Sequence, residues 1–373
     1  MKMLSIEQLN PSQKRVVLSE DELALVDAMP ACGKTATLTT RIKYLMEQHP
    51  FDKIVALTFT NNAAEEMRGR LGEVNDNVVI STLHSYCLSL LTKKGIETAY
   101  LVKSIQQENF DQILQIMLAH PEAAELVNWL LIDEAQDCCE ADYTIIEKVI
   151  QPQHLMIIGD ARQSIYGFRG ASPETFTDYR NRATVYNLNE NYRNSPEIFD
   201  FSKQFLDDYF DEGIAKAILH KRDGGFVDQV GSTAWQLPSK LRLWGWEEDW
   251  KNWAILTRTN RDLDDVCTAL RENNIPSVTF KQGDLTNDEI KQAMESNRVK
   301  VLTVHSAKGL EFEKVIVFGL AMSPSSKDEE RRLQYVAATR AKDQLYWCRK
   351  TKGYGKKKKK PAFHKGATFG EVF

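Results

Sequence analysis

The chain has 373 residues, 42% of them hydrophobic and 27% charged, with a net charge of −4. That length accommodates two or three domains of ordinary soluble composition, and the overall charge does not advertise a polyanion partner. No apolar stretch approaches the roughly 20 residues of a membrane span, and residues 1–13 lack the apolar core of a secretion signal, so a cytoplasmic protein with no membrane partner is expected. The six cysteines, Cys32, Cys87, Cys138, Cys139, Cys267 and Cys348, form no CxxC pair. A zinc site is therefore not expected, and reduced thiols are.

In chain order, residues 22–29 (ELALVDAM) read as a strand. Residues 35–46 read as a helix, with Leu38, Ile42, Leu45 and Met46 at helical spacing. A strand at 53–58, a helix at 63–71, a strand at 78–82 and a helix at 84–91 follow. Residues 88–125 look helical and read as a small insertion. The apolar runs 129–133 and 155–159 end in acidic or Gly-rich turns. Strands alternating with helices imply a mostly parallel sheet covered on both faces.

The pattern restarts with strands at 253–257, 277–280, 299–304, 315–320 and 344–347, and helices at 261–272 and 329–341. Two α/β lobes in one chain would leave a cleft between them. Residues 224–249 read as loop and short strands. Trp235, Trp244, Trp246, Trp250 and Trp253 cluster ahead of the second lobe, either as a nucleic-acid stacking surface or as packing between a loop and the second lobe. Residues 349–365 are strongly basic, with Lys356 to Lys360 unbroken. That run is a solvated tail, a grip on phosphates or an extension foreign to the protein.

Residues 28–35 (AMPACGKT) sit between a strand and a helix, the context of a phosphate-binding loop. There the backbone N–H groups of Ala31, Cys32 and Gly33 face phosphates, Lys34 reaches the terminal phosphates and the Thr35 hydroxyl holds Mg²⁺. Ala28 stands where such loops normally have Gly. Asp133 and Glu134 follow an apolar strand and would lie beside that loop. Asp133 is the expected metal anchor, and Glu134 the group that deprotonates the attacking water.

Taken in order, the motifs resemble those of the UvrD/Rep/PcrA branch of superfamily 1 DNA helicases. The resemblance rests on 9–13 (LNPSQ), 57–64 (LTFTNNAA), 80–85 (ISTLHS), 132–137 (IDEAQD), 159–171 (GDARQSIYGFRGA), 191–193 (NYR), 303–312 (TVHSAKGLEF) and 330–340 (ERRLQYVAATR). It implies a fold of two RecA-like P-loop domains and ATP and Mg²⁺ as cofactors. Gln13 would read adenine, Tyr192 would stack on it and Glu311 would bind the ribose. Gln163 would contact the γ-phosphate or its water. Arg193 and Arg340 would stabilise the transferring phosphoryl group, with Lys34 and Glu134 completing the catalytic set. Phe59, Tyr166 and Phe168 match positions that stack on bases, and Asn61, Thr82, Arg169 and His305 match positions at the strand or at the coupling between sites.

The implied domains are 1–87 with 126–189, the insertion 88–125, a second domain 190–348 and the basic tail 349–373. The gaps between motifs leave no room for the bulky second-lobe insertion of larger relatives. Ala36 follows the GKT where relatives often have Arg. The implied activity is ATP-driven translocation on single-stranded DNA, 3′ to 5′, at single/double-strand junctions and with replication or repair proteins as partners. Alternatives are a motor that displaces proteins or works only within a larger complex, and an RNA-directed motor.

Overall fold

The structure, a computed structural model, describes residues 4–171, 173–206, 210–220, 225–245, 249–280 and 286–351. The described chain divides into two compact units, one holding 4–192 and 210–220, the other 193–206 and 225–351. The first unit thus runs past the expected boundary at 189, and residues 210–220, expected in the second domain, pack with the first. Lys356 to Lys360 and Trp246 lie outside the described residues. Among the described residues no helix is long and apolar enough to cross a membrane.

The first unit is built on a six-stranded sheet in the order β3-β2-β4-β5-β1-β6. Its strands are β1 (Leu23–Ala28), β2 (Ile54–Thr58), β3 (Val78–Thr82), β4 (Trp129–Ile132), β5 (His154–Gly159) and β6 (Thr184–Leu188). Every pairing is parallel. The central strands are largely apolar because both faces are covered, with the buried Asp27 near the end of β1 an exception, and all five residues of β2 are buried. Since β4, β5 and β1 are neighbours, the loops leaving their carboxyl ends converge on one edge, where ligands of open α/β sheets bind. The stretch expected as an insertion contains helices Ala99–Gln106 and Phe110–Ala119. Their Leu101, Ile113 and Met117 are buried in the same core as β2 and β4.

A short pair, β7 (Glu190–Asn191) with β8 (Ile218–Leu219), completes the first unit. The second unit has another six-stranded sheet, ordered β11-β12-β10-β13-β14-β9. Its strands are β9 (Phe226–Ser232), β10 (Trp253–Thr257), β11 (Ser277–Val278), β12 (Val299–Thr303), β13 (Phe312–Phe318) and β14 (Ala341–Lys350), again all parallel. Between β10 and β12 lie the helices Asn260–Glu272 and Asn287–Glu295. The tryptophans resolve largely as packing. Trp250 and Trp253 are core residues, and Trp244 stacks on Tyr346 at 4.0 Å. Trp235 is 51% exposed. The helix expected over 329–341 stops at Ala338 because β14 already begins at Ala341 to pair with β13. Arg340 therefore sits in the turn between them.

Candidate functional site: a phosphate loop and its surroundings

The loop after β1 takes left-handed backbone at Ala31 (φ 61°) and at Gly33 (φ 80°), just before the helix Lys34–Gln48. This turns the helix N-terminus, with its unpaired N–H groups, toward the sheet edge. The Lys34 ammonium reaches Glu134 Oε1 at 2.6 Å. Burial opposes the charge on Lys34, but Glu134 and Asp133 outweigh it and hold its pKa above the ordinary value. Asp133 is pushed up to about 6, by burial first, with Lys34 pulling it down and Glu134 pushing it up. A divalent cation beside Asp133 would relieve that burial cost. An ammonium, a buried carboxylate and the Thr35 hydroxyl at a helix N-terminus are a donor set that fits a magnesium nucleotide.

Glu134 is itself held in the left-handed region (φ 54°). Gln136 Nε2 donates to its second oxygen, Oε2. The Gln136 carbonyl oxygen Oε1 accepts from the Asp160 backbone N–H at 2.9 Å, and Gln163 Nε2 donates to Asp160 Oδ2 at 2.7 Å. Glu134 and Gln163, named from separate motifs, are thus two ends of one hydrogen-bonded chain. Gln136 and Asp160 were not singled out in the sequence, although both lie inside motifs that were.

Gln13 also arrives at the loop. Asn10 caps the helix Pro11–Val17, accepting from the Gln13 N–H at 2.8 Å, and the Gln13 side chain donates to the Cys32 carbonyl at 3.0 Å. Asn10 Nδ2 donates to the Tyr192 hydroxyl at 2.9 Å, and the Tyr192 N–H donates to the Ala31 carbonyl at 3.0 Å. The two residues expected to handle the base are therefore both fastened to the phosphate loop.

A second group forms an aromatic cluster. Phe59 and Tyr166 stack at 5.0 Å, and Phe168 meets Tyr166 edge-on at 5.9 Å while remaining 70% exposed. The Arg169 guanidinium lies 4.9 Å from the centre of Phe59. Thr82 lines the same recess as Phe59 and Arg169, with His84 and Phe110. Its hydroxyl also caps the helix Leu83–Lys93. Asn61 is exposed at the first turn of the helix Asn61–Leu71.

Residues 13–169 match the family model described as an AAA domain, and residues 280–351 match the one described as a UvrD-like helicase C-terminal domain. The chain is a UvrD-like superfamily 1 protein. Among curated relatives, a Mycoplasma pneumoniae protein named "Probable DNA helicase" is 24% identical, over 91% of this chain and 83% of its own. The ATP-dependent DNA helicase PcrA of Bacillus subtilis is 28% identical over 53% of this chain and 39% of its own. The ATP-dependent DNA helicase UvrD1 of Mycobacterium bovis is 26% identical over 54% of this chain. The chain spans only 39% of the length of those PcrA and UvrD1 relatives.

In this UvrD-like chain the remaining residues singled out in the sequence belong to the second unit. Arg193 Nε donates to Glu311 Oε2 at 2.6 Å, and Lys342 sits 3.1 Å from Glu311 Oε1. Burial would raise the Glu311 pKa, but Arg193 and Lys342 overcome it and hold the carboxyl below its usual range. Arg340 is 2% exposed and donates to the carbonyls of Val336 and Leu310 and to the Thr339 hydroxyl. His305 is half-buried just after β12. Asn194, adjacent to the NYR motif, donates to the Thr339 and Ala341 carbonyls and braces the turn that carries Arg340.

Proposed function

We propose that the chain is an ATP- and Mg²⁺-dependent motor on single-stranded DNA that moves 3′ to 5′ and opens or clears single/double-strand junctions. The observation that carries this reading is the 2.6 Å approach of Lys34 to Glu134, which follow the carboxyl ends of β1 and β4 on either side of β5. It sets a phosphate-binding cation and a proton acceptor within reach of one small volume. The names of the relatives support ATP and DNA as the ligands.

The chemistry a bound magnesium nucleotide would supply is a charge-neutralised triphosphate with an electrophilic terminal phosphorus. Everything else falls to side chains. Lys34 and the loop N–H groups would hold the phosphates, and Thr35 and Asp133 would hold the ion. Glu134, kept in place by Gln136, would take the proton of the attacking water, and Gln163 would orient that water through its link to Asp160. Gln13, Tyr192 and Glu311 would hold the nucleoside. Arg193 and Arg340 would neutralise charge developing on the phosphoryl group. Phe59, Tyr166 and Phe168 would stack on bases without reading sequence, while Asn61, Thr82, Arg169 and His305 would contact or couple to the strand.

The test compares ATP hydrolysis with no nucleic acid, with single-stranded DNA and with RNA of the same sequence. Strong stimulation by DNA alone is expected, and stimulation by RNA alone would overturn the substrate assignment. Glu134→Gln should retain ATP binding and lose turnover by about 10²-fold or more; near-normal turnover would remove Glu134 from its role. Strand displacement, measured separately, distinguishes a helicase from a motor that only clears bound proteins.

A further inference from the structure

β7 pairs in parallel with β8, with Asn191 opposite Leu219. One residue further along each segment, Tyr192 comes to lie beside His220, and the His220 N–H donates to the Asn191 carbonyl at 3.0 Å. The two rings stack with centroids 4.2 Å apart and planes 12° from parallel. Glu190 ties the pair together. Its Oε2 accepts from the Tyr192 hydroxyl at 2.9 Å and lies 2.7 Å from His220 Nε2. With Asn10 donating to the same hydroxyl, the tilt of the Tyr192 ring is set from two sides. The other end of the 210–220 segment is also secured, because Asp211 accepts from the buried Arg162 at 3.2 Å.

We propose that His220 is a positioning residue of the nucleotide site, backing Tyr192 so that the opposite face of the phenol ring is presented to a purine base. This rests on the nucleotide site proposed above. Tyr192 is 45% exposed, and an exposed tyrosine loses rotamer freedom when a ligand stacks on it. A ring stacked beforehand meets that cost during folding, so binding is tighter. A stacked aromatic pair of this kind shifts an equilibrium about two- to tenfold. The assignment also accounts for the return of 210–220 to the first unit, which places a ring where the local sequence has no base-binding motif.

The experiment uses the full chain as wild type, His220→Ala and His220→Phe. Calorimetry measures binding of Mg-ATP, Mg-UTP and inorganic tripolyphosphate, alongside KM and kcat for ATP. His220→Ala should weaken ATP binding and raise KM about five- to tenfold, with a much smaller effect on kcat and on tripolyphosphate, and should narrow the preference for ATP over UTP. His220→Phe, which keeps a ring, should recover most of the loss. Unchanged ATP affinity in His220→Ala, a phenylalanine variant as weak as the alanine one, or equal losses for tripolyphosphate would overturn the assignment. If the wild type binds ATP without hydrolysing it, the motor reading fails and His220 is still judged by binding. If it binds no nucleotide, both fail.

Discussion

Gly33 meets two constraints at once. Its φ of 80° is left-handed, and a Cβ added there would lie 2.7 Å from Gln13 Nε2. Gly33→Ala should therefore lower stability by about 1–2 kcal/mol from backbone strain and push Gln13 off the Cys32 carbonyl. Denaturant unfolding measures the first effect. Combining the change with Gln13→Ala should remove the steric conflict but leave the strain, so full recovery in the double variant would contradict this account. At this scale Lys34, Asp133 and Glu134 were legible because chemistry and chain position coincide: each closes or follows a buried strand. His220 was not, because its role comes from strand pairing across a long stretch of sequence. The links of Gln136 to Glu134 and Asp160 were hidden for a related reason. A glutamine has no charge or periodicity to mark it, and only its hydrogen bonds show what it joins.

Among the elements, legibility followed burial. β2 and β10 are buried at every position and were read almost to the residue. β6 and β9, at the edges of their sheets, carry polar, half-exposed residues and gave no continuous apolar run. β14 was read only over its buried middle because charged residues flank it. β12 carries an exception to its own apolar rule. Lys300 is fully buried, and its ammonium donates to the Lys251 carbonyl at 2.7 Å and the Ser296 carbonyl at 2.9 Å. Burial, helped by Lys251 and opposed by Asp249, lowers its pKa from 10.5 to about 8. The folded chain thus releases a proton near pH 8 that the unfolded chain keeps until about 10.5. Across that window the unfolded state binds more protons, so this residue makes stability rise with pH. Urea unfolding of wild type and Lys300→Met between pH 7.5 and 10 should show the rise in the wild type relative to the variant. Parallel curves would mean that the two carbonyl bonds keep Lys300 charged throughout.

For the whole molecule, two sheets with separate cores carry different parts of the proposed chemistry. The phosphate loop, the metal anchor and the base belong to the first unit, and Arg193, Glu311 and Arg340 to the second. Arg340→Ala should reduce kcat by about 10³-fold or more while changing ATP affinity little. Equal losses in both, accompanied by a lower melting temperature, would mark Arg340 as a brace for the Leu310 and Val336 carbonyls rather than a participant in phosphoryl transfer. The two-unit plan was legible because the strand–helix alternation starts twice. The path between the units was not, since residues 210–220 carry no periodic signal that assigns them to either.

That path limits how the protein could be taken apart. A polypeptide stopped after Tyr192 would keep the phosphate loop, Asp133 and Glu134 yet forfeit β8, Asp211 and the imidazole behind the tyrosine, along with Arg193 and Arg340. Such a severed half should still hold a triphosphate but discriminate less between nucleobases, since Gln13 stays while the support behind Tyr192 goes, so fuel selection would weaken before fuel capture.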